Sequence, residues 1–226
     1  MHPISIAIDG PAGAGKSTMA RAVAKDLGYV YVDTGAIYRT VGYYIQMCGI
    51  GPRDVDGVTR LIDEVNVELQ YPEDGLQHMI LNGRDVTDEI RSPEMSEYAS
   101  KLSTLAVVRD FLLDVQRDLA RKHNVVMDGR DIGTVVLPKA DVKIYLTASA
   151  EVRARRRLAE FRAKGQKSDF ETVLRDIRQR DERDMNREIA PLKCAKDAVR
   201  LDTSELTIEQ SVAAMKEIIE KRLNRC

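Results

Sequence analysis

The chain has 226 residues, 43% apolar and 31% charged, enough for one large domain whose core needs neither disulfide nor metal staple. Its 35 Lys/Arg against 36 Asp/Glu give a net charge of −1, the wrong balance for a dedicated DNA binder. No apolar run reaches the roughly 18 residues of a membrane span. Met1-His2-Pro3 carries no signal-peptide pattern, and Cys48, Cys194 and Cys226 are scattered, as expected of reduced thiols in the cytoplasm without a zinc site.

Ile4-Ser5-Ile6-Ala7-Ile8, ending at Asp9-Gly10, reads as a buried central strand. A helix is predicted from Lys16 to about Leu27, stopped by Gly28, then a strand over Tyr29–Val32 and a helix over Ala36–Cys48. Val65–Tyr71 alternates with period two, His78–Leu81 follows, and Asn82-Gly83 is a strong hairpin signal. That suggests a small antiparallel meander inserted at about 61–103. Helices are predicted over Thr104–Lys122, Ala150–Lys164, Asp169–Arg187 and Thr207–Leu223, and strands over Val125–Met127, Val142–Leu146 and Val199–Leu201. Strands alternating with helices imply a five-stranded parallel sheet covered on both faces. The whole is read as a single α/β domain, with core at about 1–60 and 104–226 and the insert between.

Gly10-Pro11-Ala12-Gly13-Ala14-Gly15-Lys16-Ser17-Thr18 matches the phosphate-loop pattern G-x-x-x-x-G-K-[ST], after a predicted strand and opening a predicted helix. Glycines let the backbone curl so that N–H groups converge on phosphate oxygens. The helix start adds its positive end. Lys16 is placed to reach the β/γ-phosphates and Ser17 to hold Mg²⁺, so the chain is expected to use ATP with Mg²⁺. No N-K-x-D guanine motif is present, which argues against a GTPase. Asp33–Arg39 and Asp128–Thr134 follow the second and third strands, at the carboxyl ends where open α/β sheets bind ligands. Asp128 reads either as a Walker-B-type carboxylate for Mg²⁺ or as a turn aspartate.

From Glu151 to Arg200 there are 15 Lys/Arg and 10 Asp/Glu. That basic stretch is either a solvated helical surface or a trap for a polyanion. Arg153, Arg156 and Arg157 share one helix face and Arg155 another, with Gly165 as a flexible break behind them.

Three longer runs resemble bacterial cytidylate kinases: D-T-G-A-I-Y-R at Asp33–Arg39, D-G-R-D-I-G-T-V-V-L-P at Asp128–Pro138, and R-D-E-R-D-M-N-R from Arg180 to Arg187 with Ala190-Pro191-Leu192 behind it. Thr34 stands where that family commonly has Ser. The resemblance implies a P-loop kinase fold with a nucleotide-binding insert and a helical lid at about 153–168. It implies phosphoryl transfer from ATP to CMP or dCMP by a monomer that needs neither nucleic acid nor membrane. It assigns the acceptor phosphate to Arg39, Arg130 and Arg187, the base to Asp131, Arg109 and Ser100, and the ribose to Asp184, with Thr34 offering a hydroxyl nearby. Lys16, Asp128, Arg130, Arg180 and Arg187 are the implied catalytic set, and Arg153, Arg156 and Arg157 the implied ATP contacts of a mobile lid. On spacing alone Arg109 would pair with Asp110 or Asp114 on its own helix. The competing readings are another small-substrate kinase, or a non-catalytic nucleotide sensor or RNA-binding module. The last predicts a damaged phosphate loop or a missing arginine set, and neither is present in the sequence.

Overall fold

The computed structural model describes residues 2–73, 75–163 and 165–224, so the Cys226 thiol lies outside the described residues. The chain divides into two compact units, Met1–Tyr31 with Lys122–Cys226, and Val32–Arg121. No helix among the described residues is long and apolar enough to cross a membrane.

In chain order the elements are β1 (Ser5–Asp9), α1 (Lys16–Leu27), β2 (Val30–Asp33), α2 (Thr34–Met47), α3 (Val55–Leu61), β3 (Val67–Gln70), β4 (His78–Leu81), β5 (Arg84–Asp85), α4 (Pro93–Leu102) and α5 (Ala106–Lys122). There follow β6 (Val125–Gly129), a π-helical turn at Ile132–Val136, β7 (Val142–Thr147), α6 (Ala150–Ala163), α7 (Phe170–Asn186), β8 (Val199–Asp202) and α8 (Ile208–Leu223).

The five-stranded parallel sheet has the order β2-β6-β1-β7-β8. β1 lies at its centre, with Ile6, Ala7 and Ile8 fully buried, which is why its apolar run shows no alternation. Register pairs Ile8 with Asp128 and with Ile144, and Asp9 with Gly129. The phosphate loop therefore leaves the sheet beside the Asp128-Gly129 turn. Met19, Ala20, Val23 and Ala24 of α1, with Met215 and Ile219 of α8, pack on Ile6, Ile8, Val126, Ile144 and Leu146. Each large apolar side chain buried there contributes about 1.5–3 kcal/mol. A smaller cluster, Ala154, Leu158, Val173, Leu174 and Ile177, joins α6 to α7.

The helix ends follow local chemistry. Gly28 closes α1 at φ 66°. The Asp169 carboxylate accepts from Thr172 N, and Thr207 with Gln210 forms a reciprocal capping box on α8.

In the second unit β3, β4 and β5 form the expected antiparallel meander. Asn82 and Gly83 both take positive φ, 48° and 81°, as a tight hairpin turn requires. Two helices went unread there, α3 and α4. Both carried legible starts. Asp54 caps α3 through Gly57 N, and Ser92 caps α4 through Met95 N with Pro93 at the first helical position. Other boundaries shift by one or two residues. The helix expected from Ala36 begins at Thr34, because the Asp33 carboxylate ends the strand and caps the helix through Ala36 N. The helix expected from Thr104 begins at Ala106. The segment after β6 closes into the π-turn, with Val136 N bonded to Asp131 O and Leu137 N to Ile132 O. Such wide turns occur disproportionately at functional sites.

Candidate active site

The phosphate loop is shaped by what surrounds it. A Cβ on Gly10 would lie 1.9 Å from the Leu146 carbonyl oxygen, so only glycine lets the chain leave β1 against β7. Gly13 and Gly15 sit at φ 72° and 89°, in the left-handed region that favours glycine. Cationic side chains then hold the loop's carbonyls. Lys16 Nζ donates to Pro11 O at 2.8 Å, Arg153 Nη1 to Ala12 O at 3.0 Å and Arg156 Nη1 to Ala14 O at 3.4 Å. C=O and N–H point oppositely across a trans peptide. Drawing the Ala12 and Ala14 carbonyls toward the arginines turns the Gly13 and Gly15 amides away from them.

Lys16 is buried. Burial, then the Arg130 and Arg180 charges, push its ammonium down to about 7, against the pull of Asp128 and Asp184. Asp128, also buried, accepts from Ser17 Oγ at 3.1 Å and from the Tyr31 hydroxyl at 2.9 Å. It is therefore not merely a turn aspartate. Among the described residues no group of three or more His, Cys, Asp or Glu could hold a metal. The Ser17–Asp128 pair instead offers a hydroxyl and a carboxylate oxygen side by side, hard donors of the kind that suit a magnesium ion.

The arginines of α6 separate differently from their spacing. Arg153, 4% exposed, donates from Nε to Ala148 O and makes a two-pronged bridge to Asp181 at 3.0 and 2.6 Å. The Arg153 charge is thus matched by a carboxylate on α7. Arg156 Nη2 donates to Thr203 O at 2.7 Å. Arg155 and Arg157 lie over the Phe170 and Phe161 rings, at 5.9 and 5.2 Å from the centroids. Asp181→Ala leaves a buried guanidinium without its carboxylate. It is expected to cost about 3–5 kcal/mol, or roughly 6–20 °C in Tm for a chain of this size. Thermal unfolding measures it, and an unchanged Tm would show that the bridge does not hold α6 to α7.

A second arginine group lies on the Gly129–Asp131 turn and the end of α7. Arg130 Nε donates to Asp184 Oδ2 at 2.8 Å, and Arg187 Nη2 to Asp131 Oδ1 at 2.9 Å. Both Arg187 and Asp131 are buried, so this is no surface ion pair. Arg187 Nε also donates to Ala190 O, and Leu192 N to Asp184 O, which ties the Ala190-Pro191-Leu192 segment to the end of α7. Burial works against the Arg130 charge, but Asp184 outweighs it and holds the guanidinium above the ordinary arginine value. Burial alone would raise Asp184; the Arg130 and Arg180 charges pull it below the usual carboxylate range.

The second unit carries its own set. Thr34 is buried at the start of α2. Arg39 Nη2 donates to Asp33 Oδ2 at 3.1 Å, while Arg39 Nε is buried with no partner among the described residues. Gln77 brackets Asp33, accepting from its N–H at 2.7 Å and donating to its carbonyl at 3.2 Å. Ser100 and Arg109 are buried, and Arg109 donates to Ser103 O and lies 5.9 Å from the Tyr38 ring centroid. Arg109 turns inward, where its spacing suggested a helix-surface partner.

The sequence pointed to no role for Asp9, Tyr31, Gln77 or Asp181, which the fold bonds to the predicted site segments. Of these Asp181 was findable, three residues before Asp184 in the motif that carries the arginines.

The sequence pattern of the cytidylate kinase family matches residues 6–221. The chain belongs to that family. It is 51% identical over 217 residues to a cytidylate kinase of Carboxydothermus hydrogenoformans, covering 96% of this chain and 97% of that one. It is 46% identical over 221 residues to a cytidylate kinase of Caldicellulosiruptor saccharolyticus, covering 98% and 97%, and 47% identical over 219 to one of Lactobacillus johnsonii, covering 97% and 95%. The crystal structure of an uncharacterized protein from Eubacterium ventriosum is similar at a TM-score of 0.53 and 13% identity, covering 96% of this chain and 98% of that one, a likeness of fold alone. The match to the cytidylate kinase family spans the phosphate loop and both arginine groups.

Proposed function

We infer that the protein transfers a phosphoryl group from ATP to CMP or dCMP, giving CDP or dCDP and ADP. The observation that carries this is membership of the cytidylate kinase family over nearly the whole chain, supported by a phosphate loop whose lysine is already buried in place. Two polyanions must meet, so the work of the site is positioning and charge neutralisation. The acceptor is an ionised phosphate oxygen, and no general base is needed.

The residues divide by role. Gly10 to Thr18 cradle the donor phosphates, with Lys16 on the β- and γ-phosphates. Ser17 and Asp128 would hold Mg²⁺, which would supply positive charge against the donor phosphates. Arg130, Arg180 and Arg187 neutralise the transferring group, and Arg130 and Arg187 also bind the acceptor phosphate with Arg39. Arg130 and Arg187 stand at rest on Asp184 and Asp131, so these carboxylates hold the guanidiniums in place until phosphate competes for them. Arg156 and Arg157 are assigned to ATP on the lid, and Arg153 to the loop that binds it. Arg39, whose buried Nε lacks a partner among the described residues, takes the acceptor phosphate beside Thr34. Asp131, Arg109 and Ser100 read the base, and Asp184 accepts from ribose hydroxyls. The protein is expected to act as a cytoplasmic monomer on these small molecules alone.

The test is an ADP-release assay with ATP and Mg²⁺ against CMP, dCMP, UMP, AMP and GMP. Turnover of CMP and, somewhat less well, dCMP is expected, since dCMP keeps its 3′-hydroxyl. Preference for AMP or GMP over CMP would overturn the reading.

A further inference from the structure

Asp9 is the last residue of β1 and the one before the phosphate loop. Its carboxylate is 4% exposed. Oδ1 accepts from Ile132 N and Oδ2 from Gly133 N, both at 2.7 Å. These two consecutive amides open the π-turn, where a helix start leaves donors without partners in the turn itself. One carboxylate satisfies both. The fit is close: a Cβ on Gly133 would stand 3.3 Å from Asp9 Oδ2 and 3.2 Å from the Lys143 side chain, so either neighbour would have to shift by a few tenths of an ångström. Arg130 and Asp131 immediately precede the two bonded amides. The carboxylate thus ties the root of the donor's phosphate loop to the segment that carries two acceptor-site residues.

We propose that Asp9 is a positioning residue that sets Arg130 and Asp131 for the acceptor nucleotide. It touches no reacting atom, and the inference rests on the phosphoryl-transfer reading above. The phosphate loop keeps its own supports in Arg153 and Arg156, so loosening the Asp9 brace should weaken the acceptor side and spare ATP.

The brace also has a proton dependence. Burial pushes the Asp9 carboxyl up to about 6; the Gly133 and Ile132 amides and Lys16 resist, while Asp131 adds to the rise. Around it are Lys16 of α1, Asp131 of the turn, Asp128 one register position away on β6, Lys143 and Tyr145 of β7, and Cys194. Protonation turns one oxygen into a donor facing an amide donor, so the brace loosens as pH falls through about 6. Stability runs the other way. The folded chain holds this proton more tightly than the unfolded chain, so the Asp9 contribution to stability falls as pH rises from about 4 to about 6. An Asp9→Asn variant, uncharged at every pH, should therefore not unfold near neutrality for want of the charge.

Asp9→Asn is tested beside wild type for Tm, for KM of each substrate, and for kcat/KM across pH 5–8. The expected result is a Tm close to wild type, a fall of about 10- to 100-fold in kcat/KM for CMP carried by KM, and a KM for ATP within about twofold. The phosphate of CMP itself titrates near 6, so the readout is the ratio of wild type to variant at each pH, in which that ionisation cancels. The ratio should rise through about pH 6. Gly133→Ala, which crowds the same carboxylate from the other side, should reproduce the rise in KM for CMP with Asp9 intact. An unchanged KM for CMP, equal rises for both substrates, or a ratio flat with pH would overturn the positioning role in an active wild type. A wild type inactive on CMP and dCMP would instead overturn the phosphoryl-transfer reading, and the Asp9 assignment with it.

Discussion

Lys16→Ala is expected to lower kcat by about two to four decades while the protein stays folded, the scale of removing one electrostatic contact aimed at a transition state. The side chain is buried, and burial with the Arg130 and Arg180 charges brings its ammonium down to about 7. Its charge is therefore costly where it is buried, and the phosphate oxygens that Lys16 is proposed to reach would offset that cost. A lysine whose folded pKa lies below its unfolded value contributes less stability near neutrality than at pH above about 10. Replacing it should leave Tm at or above wild type, with the loss only of the bond to Pro11 O. Steady-state kinetics and thermal unfolding of the same sample decide the matter. A folded variant with near wild-type kcat would remove the phosphate-loop assignment.

The second large effect concerns the base. Cytosine offers an N4 donor beside the N3 and O2 acceptors, and uracil inverts the first two. If Asp131 accepts from N4 and Arg109 donates to N3, UMP meets two mismatched polar contacts at about 1–3 kcal/mol each. Wild-type kcat/KM for UMP should then lie roughly 30- to 10⁴-fold below that for CMP. The structure adds a complication that spacing did not reveal. Asp131 also holds Arg187 at 2.9 Å, so Asp131→Ala releases an arginine proposed to bind the acceptor phosphate and should slow both substrates. Only the CMP/UMP ratio reports base reading, and it should collapse in the variant. A ratio that survives while both rates fall would leave Asp131 as a support for Arg187 and no more.

Much of this protein was legible in one dimension because the relevant forces are local. A buried parallel strand needs an unbroken apolar run, and Ile4–Ile8 supplies one. A phosphate loop needs glycines at positive φ just before a helix, and Gly13, Gly15 and Lys16 stand in that order. The Asn82-Gly83 turn and the meander follow from backbone sterics that a dipeptide already expresses. The two short helices of the second unit are likewise announced locally, by the Asp54 cap and by Ser92-Pro93.

The sequence by itself determined the strand-helix order, the phosphate loop and the family's residue set. Only the tertiary structure decided which charge meets which. Arg153 and Asp181 are 28 residues apart, Arg130 and Asp184 54, and Asp9 and Gly133 124. Arg153, which the resemblance assigns to ATP, is drawn inward to a carboxylate and a loop carbonyl. Helical periodicity tells which side chains share a face, but not what lies opposite that face. Burial then makes the choice of partner decisive, because in a desolvated site each charge must be matched by the group the fold brings to it.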